Sequence, residues 1–351
     1  MGLRNLLSTV GGGPPASARR TTRKAPTLSL APAPAEDDEE EPEDPLVVHT
    51  KAKRLLVPHL DAQIEKNNHR DSAGREGAFH VSSLYYLCPR QWILQHFFPE
   101  NKKEAFSGDL LRLFQIGHKT HDAVQTEWLG PAGVLKGRWI CTICEHVHHD
   151  CFMPEKCGSC SVKQTKLRYK EPGCGHKGLN IKGHSDGIVV PGRHEGDMTE
   201  WGLEAKTIKP ENFKPLKAPL PAHLHQFNVY MHLLKLERGI FLYFCKSSGA
   251  VKEYRVEYDP SYWHDVENKL GSIQRFLRKV RDNGGKADPS WLWQTKGLCY
   301  SETSRWALWC HQSEPCMALK GYRKGSSCSV ASTVLAKSLE VRGKPLTVVV
   351  K

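Results

Sequence analysis

Residues Gly183 to Lys209 read GHSDGIVVPGRHEGDMTEWGLEAKTIK, in which two short apolar segments lie on either side of a polar loop. The first segment carries Asp186, and the second carries Glu204 and Lys206 with one residue between them. Both segments have the residue types of β-strands, and side chains two residues apart on a strand point to the same face. An ion pair on a sheet surface would explain such charges alone. The apolar neighbours, however, fit poorly with a solvated strand face.

The groups in this stretch are those that hydrolysis of a phosphodiester requires. A hard divalent cation, Mg²⁺ or Mn²⁺, binds carboxylate oxygens, and the charge of the transition state has to be stabilised. Asp186 and Glu204 on adjacent strands are suited to hold such a cation, with the carbonyl of Ala205 as a further ligand. Lys206 would lie beside the cation, where it can orient or activate water. We therefore predict a metal-dependent phosphodiesterase site here.

Helices are predicted on both sides of these strands. Ser107–Leu129 has a helical repeat, residues 221–236 form a second helix, and a hairpin over 239–258 precedes a helix that begins at Asp259-Pro260. The face of the first helix that points to the core is predicted to hold Leu110, Leu113, Phe114, Gly117, His121 and Val124. This order of helices, strands and one cysteine-rich insertion predicts a mixed α/β domain with an inserted subdomain.

Several short motifs follow one another in a known order. Asp186 lies in HSDGIV, and residues 204–206 read EAK. Upstream, GHKTH ends at His121, and downstream, QFNVY runs from Gln226 to Tyr230. Together these motifs resemble the PD-(D/E)XK nuclease superfamily, and within it the RecB-like exonuclease branch. The resemblance extends over about residues 80–320.

The resemblance implies a fold and a set of roles. It implies a restriction-endonuclease-like core, in which helices flank a mixed central sheet. It implies that His121 is a further ligand of the Mg²⁺ or Mn²⁺ bound by Asp186 and Glu204. It also implies that Gln226 and Tyr230, one helical turn apart, face the site and assist catalysis. For Tyr230, packing in the core is the alternative reading.

Four cysteines with two x2 spacings lie between His121 and Asp186. They are Cys141, Cys144, Cys157 and Cys160. Pairs of thiolates at this spacing are typical of the two knuckles of a tetrahedral Zn²⁺ site, so we predict a zinc ribbon inserted over residues 138–178. Other donors in this region could replace a cysteine: His146, His148, His149, Cys151, Cys174 and His176. We expect the ribbon to be structural, since so small a module needs its metal to fold, or to grip DNA.

A second cysteine set joins the two ends of the predicted domain. It comprises Cys88, Cys299, Cys310 and Cys316. The arrangement is similar to that of RecB-like exonucleases of the AddB and CRISPR-associated types, in which one early cysteine and a late trio bind a [4Fe–4S] cluster. Cys299 departs from the tight spacing of that pattern, and Cys328 is a rival ligand. Four thiolates also suit zinc, so iron–sulfur and zinc both stay open.

The charge of the chain is unevenly distributed. The net charge is +12, but residues 1–44 carry a net −3, which leaves +15 on the remainder. A basic body suits a polyanion such as DNA, although a generic basic surface would look the same. The tail over residues 1–45 is predicted to be disordered, the nuclease domain to comprise 46–137 and 179–328 around the ribbon, and a basic tail to cover 329–351.

No apolar stretch of the sequence predicts a transmembrane segment or a secretory signal. We expect a cytoplasmic protein, in the host cell if it is viral, with organelle targeting a disfavoured alternative. The predicted function is a metal-dependent DNA exonuclease acting on single strands or DNA ends, with recombination or replication proteins as further partners. The alternatives are a non-catalytic DNA-binding accessory module and a structure-specific endonuclease.

Overall fold

The computed structural model describes residues 56–73, 78–98, 106–295, 297–298, 310–320 and 328–336. The predicted disordered tail and Cys299 of the second cysteine set lie outside these residues. Within them, ten strands form two sheets. In chain order the strands are Phe79–His80 (β1), Leu135–Cys141 (β2), Val147–Phe152 (β3), Leu167–Lys170 (β4), Gly173–His176 (β5), Ile181–His184 (β6), Gly187–Val189 (β7), Trp201–Ile208 (β8), Arg238–Cys245 (β9) and Val251–Glu257 (β10).

The larger sheet has seven strands in the order β10-β9-β8-β7-β2-β3, with β4 also paired to β2. The β8–β9 pair is parallel, and the other pairs are antiparallel. A parallel pair needs a crossover connection, which is the helical segment between β8 and β9. The smaller sheet has the order β1-β6-β5. Strands β6 and β7 follow each other closely, so the chain passes from one sheet to the other at Asp186.

The described residues also form ten α-helices. They are Val57–Ala73 (α1), Val81–Leu84 (α2), Pro89–Phe97 (α3), Gly108–Asp122 (α4), Pro210–Phe213 (α5), Pro221–Leu234 (α6), Pro260–Asp282 (α7), Pro289–Gln294 (α8), Ser313–Ala318 (α9) and Ser329–Ala336 (α10). The side chain of Ser107 caps α4 and that of Asp259 caps α7 by accepting backbone N–H bonds. Beyond α4 the helix continues in π-helical geometry over Ala123–Leu129.

Helices cover both faces of the large sheet. On one face, Ile208 of β8 packs with Phe227 of α6 and Val266 of α7 in the main hydrophobic cluster. On the other face, Ala205 of β8 packs with Val124, just beyond α4. The mixed α/β architecture predicted from the sequence, a mixed sheet flanked by helices, is therefore confirmed.

The predicted core face of α4 is partly wrong. Leu110 and Phe114 are 36% and 43% exposed, whereas Leu111 is buried. The N-terminal half of α4 packs against α1, where Arg112 forms an ion pair with Asp61. The helix comes close to β8 further along, and Val124 is buried as predicted. A helical repeat alone does not tell which neighbour a helix packs on.

The C-terminal segment contributes to a second hydrophobic cluster. Ile93 and Phe97 of α3 pack there with Phe276 of α7, and Val334 of α10 is fully buried in it. Residues 329–351 were predicted as a basic tail, but the part of this range that the structure describes begins with helix α10. At least that helix belongs to the folded body.

Candidate active site

Asp186 lies in the two-residue connection between β6 and β7, and not on a strand as the sequence predicted. The residues that follow it, 187–189, pair with Trp201–Leu203 of β8. The next amide of β8 on this edge is that of Ala205, which donates a hydrogen bond to Oδ2 of Asp186 at 2.7 Å. The short strand β7 thus places this carboxylate against the middle of β8.

Glu204 and Lys206 project from the same face of β8, as the sequence predicts. The ammonium of Lys206 donates to Oε1 of Glu204 at 2.5 Å, and the Glu204 side chain is fully buried. Burial, opposed by Lys206 and reinforced by Asp186, raises the pKa of Glu204 to about 7. Burial lowers the pKa of Lys206, but Glu204 and Asp186 together raise it above its usual value. Lys206 is therefore an ammonium, and Glu204 is a carboxyl that ionises only near neutral pH.

One oxygen of Glu204 is left unsatisfied. Oε2 is buried and has no hydrogen-bond partner among the described residues. Since buried polar atoms are nearly always paired, an orphaned carboxylate oxygen beside a second buried carboxylate indicates a position for a cation.

His121 reaches Asp186 from the last turn of α4. Its Nδ1 lies 3.4 Å from Oδ1 of Asp186, and its side chain is 20% exposed. Burial lowers the pKa of His121, but the hydrogen bond and charge of Asp186 raise it above its usual value. Conversely, burial raises the pKa of Asp186, while His121 and then Lys206 bring it below its usual value.

A third donor, Glu171, joins His121 and Asp186. One ligand atom from each of these three residues lies within 4.8 Å of the others. The sequence predicted Glu204 in this place. Glu204 precedes Ala205, whose N–H donates to the Asp186 carboxylate. Among the described residues, however, Glu204 is not a member of this three-residue group. Burial is the largest effect that raises the pKa of Glu171, and the negative charge of Asp186 raises this pKa further.

Sequence reasoning missed Glu171 because it directly follows β4, inside the stretch assigned to the ribbon. It also missed Gln125, whose Nε2 donates to Oε1 of Glu171 at 3.1 Å and to the backbone carbonyl of Asp186 at 2.7 Å. The only sequence signal for Gln125 was its position one turn after His121. Glu171 had no local signal, because its role depends on where β4 ends in space.

Gln226 and Tyr230 of α6 both face the site. Nε2 of Gln226 donates to Oε1 of Glu204 at 3.0 Å and to the hydroxyl of Tyr230 at 3.5 Å. Tyr230 is also buried in the main hydrophobic cluster, so it packs in the core and borders the site at once. A Cβ at Gly183 would lie 2.8 Å from its ring, so a glycine lets β6 pass this close to α6.

The two histidines beside Gln226 have other partners. His225 is buried and pairs with Asp265 at 3.2 Å. Nδ1 of His223 lies 2.9 Å from the hydroxyl of Tyr243, which also accepts the N–H of Leu220. Burial, followed by the charge of Lys206, lowers the pKa of His223 to about 4.

The cluster as a whole fits a hard divalent cation. Asp186 shares a three-donor group with Glu171 and His121, and it accepts a hydrogen bond from the residue that follows Glu204, whose carboxyl pairs with the ammonium of Lys206. Carboxylate oxygens with one imidazole are ligands that Mg²⁺ and Mn²⁺ accept. Such an excess of buried negative charge is stable only if a cation or protons neutralise it.

The four cysteines predicted to form the zinc ribbon lie together. The sulfur atoms of Cys141, Cys144, Cys157 and Cys160 are all within 4.8 Å of one another. Backbone N–H bonds from Cys144 and Ile143 lower the pKa of the Cys141 thiol to about 7. Those from Cys160 and Ser159 lower the pKa of Cys157. In each of the two turns, backbone N–H groups donate to a cysteine sulfur and stabilise its thiolate, which is the form of cysteine that binds zinc.

The alternative zinc donors are not in the four-cysteine group. The ribbon shares strand β2 with the large sheet. Leu135 and Lys136 pair with β7, and Arg138–Cys141 pair with β4.

The second cysteine set is brought together only in part. Cys88 precedes α3, Cys316 lies on α9, and both are buried. The two helices are in contact, with Nη1 of Arg90 donating to the sulfur of Cys316 at 3.9 Å. Cys88, Cys310 and Cys316 do not form a three-donor group within 4.8 Å in the described part of the chain. Binding of a cluster or of zinc stays a prediction.

No protein-family model matches the chain, and no curated protein matches it. Solved structures that resemble part of it include one of SSO0001 and two of an alkaline exonuclease. SSO0001 has a TM-score of 0.36 and 16% identity, and the match covers 65% of this chain and 89% of that one. The alkaline exonuclease LHK-Exo from Laribacter hongkongensis has a TM-score of 0.32 and 13% identity, with 60% and 93% covered. The complex of LHK-Exo with dAMP has a TM-score of 0.31 and 13% identity, with 60% and 96% covered. At these identities and TM-scores the matches assign no role to any residue.

Among the described residues, no helix has both the length and the apolar character needed to cross a lipid bilayer.

Proposed function

We propose that this chain is a metal-dependent deoxyribonuclease of the PD-(D/E)XK type, acting as an exonuclease on single strands or DNA ends. His121, Asp186, Glu204 and the carbonyl of Ala205 would hold Mg²⁺ or Mn²⁺. Lys206, Gln226 and Tyr230 would complete the site. The RecB-like assignment and the preference for exonuclease action rest on the order of the sequence motifs.

The observation that supports this proposal best is the charge arrangement around Asp186. Glu204 is fully buried with one oxygen unpaired, and Lys206 is its only charged hydrogen-bond partner among the described residues. An ion pair on the surface would not explain why the carboxyls of Asp186 and Glu204 are both buried, or why Nδ1 of His121 lies 3.4 Å from Oδ1 of Asp186. Burial of charges costs several kcal/mol per ion, which a binding site offsets when the cation arrives.

The chain's own residues would then act as follows. A bound divalent cation supplies Lewis acidity toward the phosphate and favours ionisation of an attacking water. Lys206, held as an ammonium by Glu204, stabilises negative charge on the phosphate as it develops. Gln226 fixes the orientation of Glu204 by its amide hydrogen bond. The 20% exposure of both His121 and Lys206 lets a substrate reach the site.

DNA is the proposed partner because the chain outside residues 1–44 carries a net +15. A basic body attracts the phosphate backbone and makes binding dependent on salt. Recombination or replication proteins are proposed as further partners, since such proteins produce the ends and single strands that an exonuclease degrades.

Two structural metal sites are part of the proposal. Zn²⁺ would bind Cys141, Cys144, Cys157 and Cys160. Either a [4Fe–4S] cluster or a second zinc would bind Cys88, Cys299, Cys310 and Cys316, and would tie α3 to the C-terminal segment. Contact between α3 and α9 supports this second site.

A cleavage assay with end-labelled linear and circular single-stranded DNA tests the proposal. With Mg²⁺ or Mn²⁺ the wild type should degrade linear DNA, and Asp186→Asn and Lys206→Met should not. Folding of both variants is checked by thermal melting. Cleavage of the circle would favour an endonuclease. DNA binding without any metal-dependent cleavage would favour an accessory module. Full activity of both variants would overturn the assignment.

A further inference from the structure

Glu171 lies at the junction between the ribbon and the candidate active site. Strand β4 ends at Lys170, and Glu171 is the next residue. Along β4, Leu167 pairs with Cys141 and Lys170 pairs with Arg138. One end of this strand is therefore fixed at a cysteine of the four-cysteine site, and the other end delivers Glu171.

The position of the Glu171 carboxylate suits a shared ion. Its ligand atom lies within 4.8 Å of those of His121 and Asp186. Ligands of Mg²⁺ lie about 2.0 to 2.1 Å from the ion, so two ligands on opposite sides of one ion are separated by about 4.2 Å. The three side chains thus need only small adjustments to bind one cation.

A single amide group aligns this arrangement. Nε2 of the buried Gln125 donates both to Glu171 and to the backbone carbonyl of Asp186. Gln125 lies in the π-helical turn that follows α4, one turn after His121. Such π-helical insertions are frequent at functional sites. Gln125 thereby ties the two acidic residues to the helix that carries the histidine.

We propose that Glu171 is a ligand of the catalytic cation, and that the four-cysteine ribbon serves to hold Glu171 in the site. The inference rests on the proposed function, because it takes the cation to be that of the nuclease reaction. It also gives the ribbon a role that explains its insertion between His121 and Asp186.

The packing of β4 supports the role of the ribbon. The ring of Tyr169 packs on that of Trp139 with centroids 5.1 Å apart, and its hydroxyl donates to the carbonyl of Lys136 at 2.9 Å. Trp139 is fully buried. Tyr169 and Trp139 thus pack β4 closely against β2. From Leu167 the chain advances four residues to Glu171, about 13 Å of extended strand, so we expect zinc binding at the cysteine end of β4 to fix the position of Glu171.

The test is a Mn²⁺ titration of the full chain, followed by electron paramagnetic resonance and by calorimetry. Glu171→Gln should bind Mn²⁺ at least about tenfold more weakly than the wild type, with an unchanged zinc content. Glu155→Gln is the matched control, because Glu155 is an exposed carboxylate of the same ribbon outside the group. It should bind Mn²⁺ like the wild type. Wild-type affinity in Glu171→Gln would overturn the assignment of the ligand.

The ribbon is tested with Cys144→Ser, since Cys144 is an exposed member of the zinc set. This variant should lose zinc and bind Mn²⁺ at least about tenfold more weakly, while retaining a cooperative thermal transition. Unchanged Mn²⁺ affinity without zinc would overturn the positioning role. Loss of the folded state would overturn it too, because zinc would then be required by the whole fold.

The outcomes also separate the two proposals. A wild type that binds no Mn²⁺ would overturn the proposed function together with this inference. A wild type that binds Mn²⁺ and cleaves DNA, with Glu171→Gln unaffected in both, would overturn the inference alone.

Discussion

The affinity for the divalent cation should depend steeply on pH near neutrality. Burial and the neighbouring Asp186 raise the pKa of Glu204 to about 7, against the opposing effect of Lys206. A cation that binds the Glu204 carboxylate must displace its proton whenever the pH is below this value. The raised pKa of His121 acts in the same direction, since a protonated imidazole has no free ligand atom.

The magnitude follows from the pKa of Glu204. Below pH 7, each unit by which the pH falls weakens the free energy of cation binding by about 1.4 kcal/mol, a factor of about ten in affinity. Above pH 7 the carboxylate is already ionised, and this dependence levels off. Glu204 alone should therefore weaken Mn²⁺ binding about tenfold between pH 8 and pH 6, and His121 should increase the difference.

Mn²⁺ titrations at pH 6, 7 and 8 and constant ionic strength measure this effect. In Glu204→Gln the affinity should be lower at every pH and the pH dependence shallower, because the proton competing at residue 204 is gone. Glu155→Gln should retain the slope of the wild type. A wild-type affinity that does not change between pH 6 and pH 8 would refute the prediction that Glu204 must lose a proton to bind the cation.

Three further predictions concern stability and metal content. Gly239→Ala places a methyl group against the ring of Phe227 in the core and should cost about 1 to 3 kcal/mol in urea denaturation, whereas Gly271→Ala in α7 should be neutral or stabilising by up to about 1 kcal/mol. His225 and Lys269 hold the pKa of Asp265 well below its usual value. The carboxylate therefore stabilises the fold above about pH 4, and the deficit of Asp265→Asn should shrink as the pH falls toward 2. Metal analysis of the purified chain should find about one zinc per chain together with iron if the second cysteine set holds a cluster, or about two zinc per chain if that set holds zinc.

Much of the fold follows from local sequence. Asp259-Pro260 and Asn283-Gly284-Gly285 mark the two ends of α7, whose buried stripe follows the helical repeat. Local signals are sufficient there, because capping groups and periodicity act within one or two turns. The exposed Leu110 and Phe114 of α4 show where such signals fail. Which side of a helix becomes buried depends on the element that packs against it.

The candidate site also combines features that local sequence predicts with features that depend on tertiary packing. The sequence alone determined that Glu204 and Lys206 lie on one strand and share a face, because alternation along a strand fixes side-chain direction locally. It also placed Asp186 on a strand, whereas Asp186 lies in the connection between β6 and β7. Only the tertiary structure decided that Glu171 joins His121 and Asp186. That contact depends on where β4 ends after it pairs with β2. The residues beside Glu171 in the sequence do not indicate which distant strand β4 will pair with.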